Sequence, residues 1–200
     1  FSIVTKNALV ERDLDLIAPK AAAGLARVYL SITTLDADLA RKLEPRASAP
    51  ARRVQALRAL TGAGVPTGVM VAPVIPQLND RDLEAILESA AAAGATQAGW
   101  IMLRLPREVA PLFRDWLATH YPDRAAHVMS IVNDLRGGRD YDSGFGTRMR
   151  GTGVFADLIA RRFEVACRRL GLDAGRGRSP LDRGQFRPPA GDDGRQASLF

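Results

Sequence analysis

The chain holds one cysteine, Cys167, in 200 residues, which excludes an internal disulfide and fits a reducing, cytoplasmic setting. Its two histidines, His120 and His127, fall on helix-patterned stretches with no second ligand at metal spacing, so no metal site is expected in this chain. Long apolar runs are absent as well. Charged residues, Gly or Pro interrupt each one before it reaches bilayer length, and no membrane association is expected. Lys6, Glu11, Arg12 and Asp13 break up any apolar core of a signal peptide. Lysine is scarce, with only Lys6, Lys20 and Lys42, so the net charge of +6 comes from arginine. A GC-rich coding sequence, which enriches Arg and Ala together, accounts for this bias; a basic chain also suits an acidic partner, nucleic acid included. There is no G-x-S-x-G, Walker or G-x-G-x-x-G fingerprint, and the GFG of SGFGTRMRG is too short for a dinucleotide loop.

Four apolar runs are present, SIVTKN, VYLSITTLD, GVMVAPVIPQLND and GWIMLRLP, each ending in polar or conformationally special residues. Helix-patterned stretches separate them, as in the parallel strands of a β/α barrel or an open α/β sheet. Strands are expected near 2–6, 27–34, 66–74 and 98–105. A short helix over 11–18 should stop near Pro19. Ser48 is placed to cap a helix carrying Val54, Leu57 and Leu60, and Asn79 or Asp80 to cap the next. After Pro106 the period becomes helical: Val109 to Leu117, Val128 to Leu135, then, beyond a Gly/Arg/Asp-rich loop, Phe155 to Leu170. Residues 1–106 therefore read as strands and helices of a barrel, 107–171 as a helical C-terminal extension packed on it, and 172–200 as a disordered tail.

In such folds the carboxyl ends of the strands build the site. Lys6 lies there beside Thr5 and Asn7, and reads either as a partner for a carboxylate or phosphate or as a solvated strand end. Ser31 and Thr33 alternate with Leu30 and Ile32, which sends the hydroxyls to the face opposite the aliphatic pair. They need partners there, from a ligand or from neighbouring strands. In APVIPQLND two prolines stiffen a segment that suits the edge of a heterocycle.

Together SIVTKN, SITTLD, EPRASAPARR, GVMVAPVIPQLND and the RMRG before the last long helix resemble the radical S-adenosylmethionine (SAM) superfamily, in its branch similar to spore photoproduct lyase. The resemblance covers about residues 1–171. It implies a partial (β/α) barrel and cleavage of S-adenosylmethionine to a 5′-deoxyadenosyl radical by a 4Fe–4S cluster on a CxxxCxxC motif. This chain lacks that motif, so the cluster is expected only in an intact parent, of which the chain is an N-terminally truncated, inactive piece. The resemblance further implies that Lys6 and Ser31 hold the methionyl carboxylate, with Thr33 near the ribose and Ala72, Pro73 and Val74 along the adenine. It places Arg104 at cofactor or substrate. Arg148 and Arg150, in a Gly-rich loop just before a helix N-terminus, read either as reaching toward substrate or as part of a solvated connection between helices. The substrate itself is not implied, although the branch suggests DNA repair.

The last five residues, QASLF, resemble the pentapeptide that binds the bacterial sliding clamp, with Gln196, Leu199 and Phe200 as contacts. Two other readings stay open. One is a DNA-metabolism accessory protein acting by binding through that tether; the other is a phosphate-binding α/β-barrel enzyme using Lys6 and the Arg-rich loop.

Overall fold

The computed structural model describes residues 1–174 and 181–187. Four parallel strands, β1 (Ser2–Thr5), β2 (Arg27–Ser31), β3 (Thr67–Val74) and β4 (Gln97–Met102), lie in the order β1-β2-β3-β4. Helices α1 (Leu14–Ala22), α2 (Ala37–Leu43), α3 (Pro50–Gly62) and α4 (Leu83–Ala92) fill the connections. A strand order that never reverses is that of a barrel wall; a doubly wound sheet would carry a switch point. The polypeptide continues through α5 (Val109–His120), α6 (Pro122–Asp134) and α7 (Val154–Leu170).

Strand register assigns the faces. Val28 pairs with Ile3 and Thr67, Val69 with Leu30 and Ala98, and Val71 with Trp100. Val28, Leu30, Ile32, Val69, Val71, Ala98 and Trp100 join one buried core with Leu57 and Leu60 of α3, Ile86 and Leu87 of α4, and Phe163 of α7. Each fully buried Leu or Ile there contributes about 1.5–3 kcal/mol. Tyr29, Ser31 and Met70 alternate with that set and occupy the other face. Gly68 is needed there: a Cβ on it would lie 2.3 Å from the Tyr29 ring, which crosses β3 so that its hydroxyl bonds the Gln97 side chain. Toward the amino ends of the strands this face is filled by the protein's own side chains; toward the carboxyl ends it is hydroxyl-lined.

A second core, with Ile75, Leu78, Leu103, Leu105, Phe113, Leu117 and Val128, packs α5 and α6 against the segments that follow β3 and β4. The helical C-terminal part thus sits beside the carboxyl ends of the strands. The Trp116 indole N–H donates to the Lys42 carbonyl (2.9 Å), tying α5 to the end of α2.

Three local expectations change. Pro19 lies inside α1, preceded by a 3-10 turn over Ala8–Asp13, so it does not stop the helix. Ala49, not Ser48, precedes α3, because the Ser48 hydroxyl accepts from the Ala8 backbone (2.9 Å) and pairs with Asn7. Asn79 precedes a 3-10 turn over Asp80–Asp82 but its side chain makes no capping bond, being committed to the strand ends, and the residue before α4 is Asp82, neither Asn79 nor Asp80. Beyond α7, Leu172 is buried and Asp173 bridges to Gln97 on the outer edge of β4.

Candidate functional site

The site forms where β1, β2 and β3 end. Lys6 follows β1 directly, and its ammonium pairs with the Glu44 carboxylate and lies 3.3 Å from Thr33 Oγ1. Thr33 Oγ1 is 2.7 Å from Glu44 Oε1 and 3.0 Å from the Ala72 carbonyl oxygen, to which Ser31 Oγ also donates (3.1 Å). The alternation of Ser31 and Thr33 along one strand is what aims both hydroxyls at one carbonyl of the next.

Glu44 closes α2, whose start is capped by Asp36 Oδ1 accepting from the Asp38 and Leu39 amides (2.8 and 3.1 Å). That short helix returns the chain over the strand ends and sets Glu44 between two cations. Arg53 is its second partner, with Nη2 2.7 Å from Glu44 Oε2. The guanidinium also donates to the carbonyls of Ser48 (2.7 Å) and Ser31 (2.8 Å), and its side chain is 1% exposed. Burial alone would raise the Glu44 pKa, but bonds from Lys6, Thr33 and Arg53 outweigh it and hold the carboxyl below its ordinary value.

Asn79 staples the ends of β2 and β3. Its Nδ2 donates to the carbonyls of Thr33 (2.7 Å) and Pro73 (2.8 Å), while Oδ1 accepts from the Ile75 amide (2.6 Å). The Ala72–Pro73 peptide beside it is cis.

Lys6 and Arg53 bring two positive charges to the single carboxylate of Glu44, which leaves one in excess. Arg53 is sealed, whereas the Lys6 side chain is 38% exposed, so the surplus is presented through Lys6. Lys6, Pro73, Glu44 and the turn from Pro45 to Ala47 line an open cleft of about 460 Å³. That volume lies within the roughly 300–1,000 Å³ usual for small-molecule sites.

Of the residues singled out in the sequence, Lys6, Ser31, Thr33 and the Ala72–Pro73 backbone are brought together; Val74, 1% exposed, is the last residue of β3 beside them. Arg104 lies past the end of β4, with Nη2 2.9 Å from the Tyr141 hydroxyl. Arg148 stands over the Phe145 ring (5.5 Å to the centroid) and Arg150 over the Trp100 ring (4.2 Å), on the face that packs against α7. Neither guanidinium contacts the group around Lys6. Gln196, Leu199 and Phe200 lie outside the described residues. Sequence reasoning missed Glu44 and Arg53. The available signal was Arg53 on the buried stripe of α3 with Ala56, Leu57 and Leu60, an unusual place for an arginine.

A family profile described as the Radical SAM superfamily matches residues 1–90. Those residues, a little under half of the chain, are similar to that superfamily. Among curated relatives, uncharacterized protein Rv2578c of Mycobacterium tuberculosis is 39% identical over 132 residues, 65% of this chain and 39% of that protein. Uncharacterized protein ORF301 of Acidianus two-tailed virus is 37% identical over 108 residues, 52% of this chain and 35% of that protein. The chain thus spans less than half the length of these relatives. Spore photoproduct lyase complexed with dinucleoside spore photoproduct superposes with a TM-score of 0.53 at 21% identity, covering 86% of this chain and 49% of the lyase. A point mutant of spore photoproduct lyase gives 0.58 at 18%, with the same coverage. At that identity the likeness is one of fold: a partial radical SAM barrel of four parallel strands with a helical C-terminal part.

The superfamily implies S-adenosylmethionine and a 4Fe–4S cluster. The residues here do not fit the cluster. There is one cysteine in the sequence, and among the described residues no group of three His, Cys, Asp or Glu is placed to hold a metal. Cys167 is buried on α7, and burial pushes its thiol up to about 11. It should therefore resist a thiol-labelling reagent at pH 8 in the native protein and react at once in denaturant; rapid native labelling would contradict its burial. The surplus charge at Lys6, facing the open cleft, is of the kind that suits an amino-acid carboxylate.

Proposed function

We propose that these residues form the amino-acid and adenosyl side of an S-adenosylmethionine site in a radical SAM enzyme whose cluster is held by polypeptide other than these 200 residues. The observation that supports this reading is the meeting of Lys6, Ser31, Thr33 and the Ala72 carbonyl at the strand ends, with one positive charge beyond what Glu44 neutralises. Lys6 offers an exposed ammonium to the methionyl carboxylate, and Ser31 turns its hydroxyl from the Ala72 carbonyl to the same group. Thr33 stands on the ribose side. Ala72, Pro73 and Val74 form the edge against which the adenine lies, fixed in place by Asn79. Arg53 touches no ligand; it holds Glu44, and through Glu44 the position of Lys6. Held there, S-adenosylmethionine would be open to one-electron reductive cleavage into methionine and a 5′-deoxyadenosyl radical, with the electron coming from a cluster that other polypeptide would supply. The fold of spore photoproduct lyase is compatible with a role in DNA repair, and the QASLF terminus with a sliding-clamp tether; both belong to the same reading of the whole protein.

Calorimetric titration of the 200-residue chain with S-adenosylmethionine tests the site without the cluster. Lys6→Ala should weaken binding by about 1.5–3 kcal/mol, a rise in Kd of about tenfold to a hundredfold, because a charged partner is lost. An unchanged Kd removes Lys6 from the site, and absence of binding by the unsubstituted chain removes the reading.

A further inference from the structure

Arg104 and Arg136 stand together past the end of β4, and no carboxylate bonds to either among the described residues. Arg136 is 3% exposed. Its Nη1 donates to the carbonyls of Thr147 (3.2 Å) and Arg148 (3.1 Å) and its Nη2 to that of Leu103 (2.7 Å). Arg104 is half-buried and has neutral partners only: the Tyr141 hydroxyl (2.9 Å), the Met149 sulfur (3.7 Å) and the Tyr141 ring face. On both side chains Nε is buried with no hydrogen-bond partner among the described residues. Burial lowers the pKa of Arg136; the charge of Asp142 opposes this, and the charge of Arg104 adds to it. Asp142 is itself bonded by Thr147 Oγ1 (2.6 Å) and the Gly144 amide (2.9 Å), and Asp140 pairs with Arg114.

Two adjacent guanidiniums in a low-dielectric setting, each with an unused donor, are costly, and a water molecule would satisfy the donors without cancelling the charge. An oxyanion does both, because the planar fork matches a carboxylate or phosphate. The Leu103 amide donates to the Val74 carbonyl (2.9 Å), which places this pair beside the strand end that supplies Ala72, Pro73 and Val74. We propose that Arg104 and Arg136 form an oxyanion subsite that anchors a phosphate or carboxylate group of the substrate. Arg104 exchanges the Tyr141 hydroxyl and the Met149 sulfur for the anion, while Arg136, held by three backbone carbonyls, supplies fixed charge. Assignment of the group to the substrate rests on the radical SAM reading; the anion site itself does not.

The test is thermal unfolding and calorimetry of the 200-residue chain with inorganic phosphate, then with acetate, against chloride at equal ionic strength. Arg104→Gln is the test variant and the exposed Arg124→Gln the control. The expected result is saturable stabilisation by phosphate or acetate beyond that of chloride, weakened about tenfold or more by Arg104→Gln and kept by Arg124→Gln. The stronger of the two anions identifies the group as phosphoryl or carboxyl. Equal responses in all three proteins, or none in the unsubstituted chain, overturn the subsite. Lys6→Ala separates the two sites: it should weaken S-adenosylmethionine binding about tenfold to a hundredfold and leave the phosphate or acetate response intact. Loss of the anion response in Lys6→Ala with its retention in Arg104→Gln would move the anion site to Lys6 and overturn the proposal.

Discussion

Arg53→Ala is expected to lower the unfolding free energy by about 3–5 kcal/mol, because it leaves the Glu44 carboxylate buried with one partner fewer and two carbonyls unpaired. The Ser31 and Ser48 carbonyls each lose a bond under 3 Å from a side chain that water scarcely reaches. The readout is the midpoint of urea unfolding at unchanged slope. Glu44→Gln in the same background should recover part of the loss, since the uncompensated charge is then removed, and a double-mutant cycle measures the coupling. A loss below about 1 kcal/mol for Arg53→Ala would mean that the ion pair is solvated and that Glu44 does not position Lys6.

Asn79 carries the second large effect. Asn79→Ala strands the Thr33 and Pro73 carbonyls and the Ile75 amide, and about 2–4 kcal/mol of stability should go with them. Asn79→Asp is the sharper probe. It keeps the acceptor for Ile75 but sets a carboxylate oxygen against two carbonyl oxygens, so it should destabilise at least as much as alanine. If aspartate is instead tolerated better than alanine, the donation to Thr33 and Pro73 is not what holds the strand ends together. Chemical denaturation of both variants at neutral pH decides between these outcomes.

The two staples divide the labour at the site. Asn79 fixes the distance between β2 and β3 where the hydroxyls of Ser31 and Thr33 meet the Ala72 carbonyl. Arg53 and Glu44 fix the charge there, and Arg53 reaches from α3 to the end of β2 to do so. Under the proposed function, a ligand carboxylate entering the cleft would meet an ammonium already aligned by Glu44, with little side-chain freedom to lose on binding.

How much of this was legible in the sequence follows from the range of each signal. The four strands and the order of helices come from local periodicity. Val28, Leu30 and Ile32 alternate with Tyr29, Ser31 and Thr33, and Leu57, Leu60, Ile86 and Leu87 repeat at helical spacing. Boundaries were less legible: β2 ends at Ser31 and β4 at Met102, short of the apolar runs that contain them, because Thr33 and Leu103 leave the ladder to reach the site and the second core. Pro19 shows the limit of a one-residue signal, since α1 continues through it.

The placement of Lys6, Ser31 and Thr33 at one end of a parallel sheet was determined by the sequence, because side-chain alternation and strand polarity are properties of the chain read locally. Their partners were decided by tertiary structure. Glu44 meets Lys6 across 38 positions and Arg53 meets the Ser31 carbonyl across 22, and those encounters depend on how α2 and α3 turn back over the sheet. Arg136 likewise reads as one more arginine in a Gly-rich loop until α6 sets it against Leu103, 33 positions away. Periodicity reports which face a side chain takes; which charge waits on that face depends on the packing of elements distant in sequence.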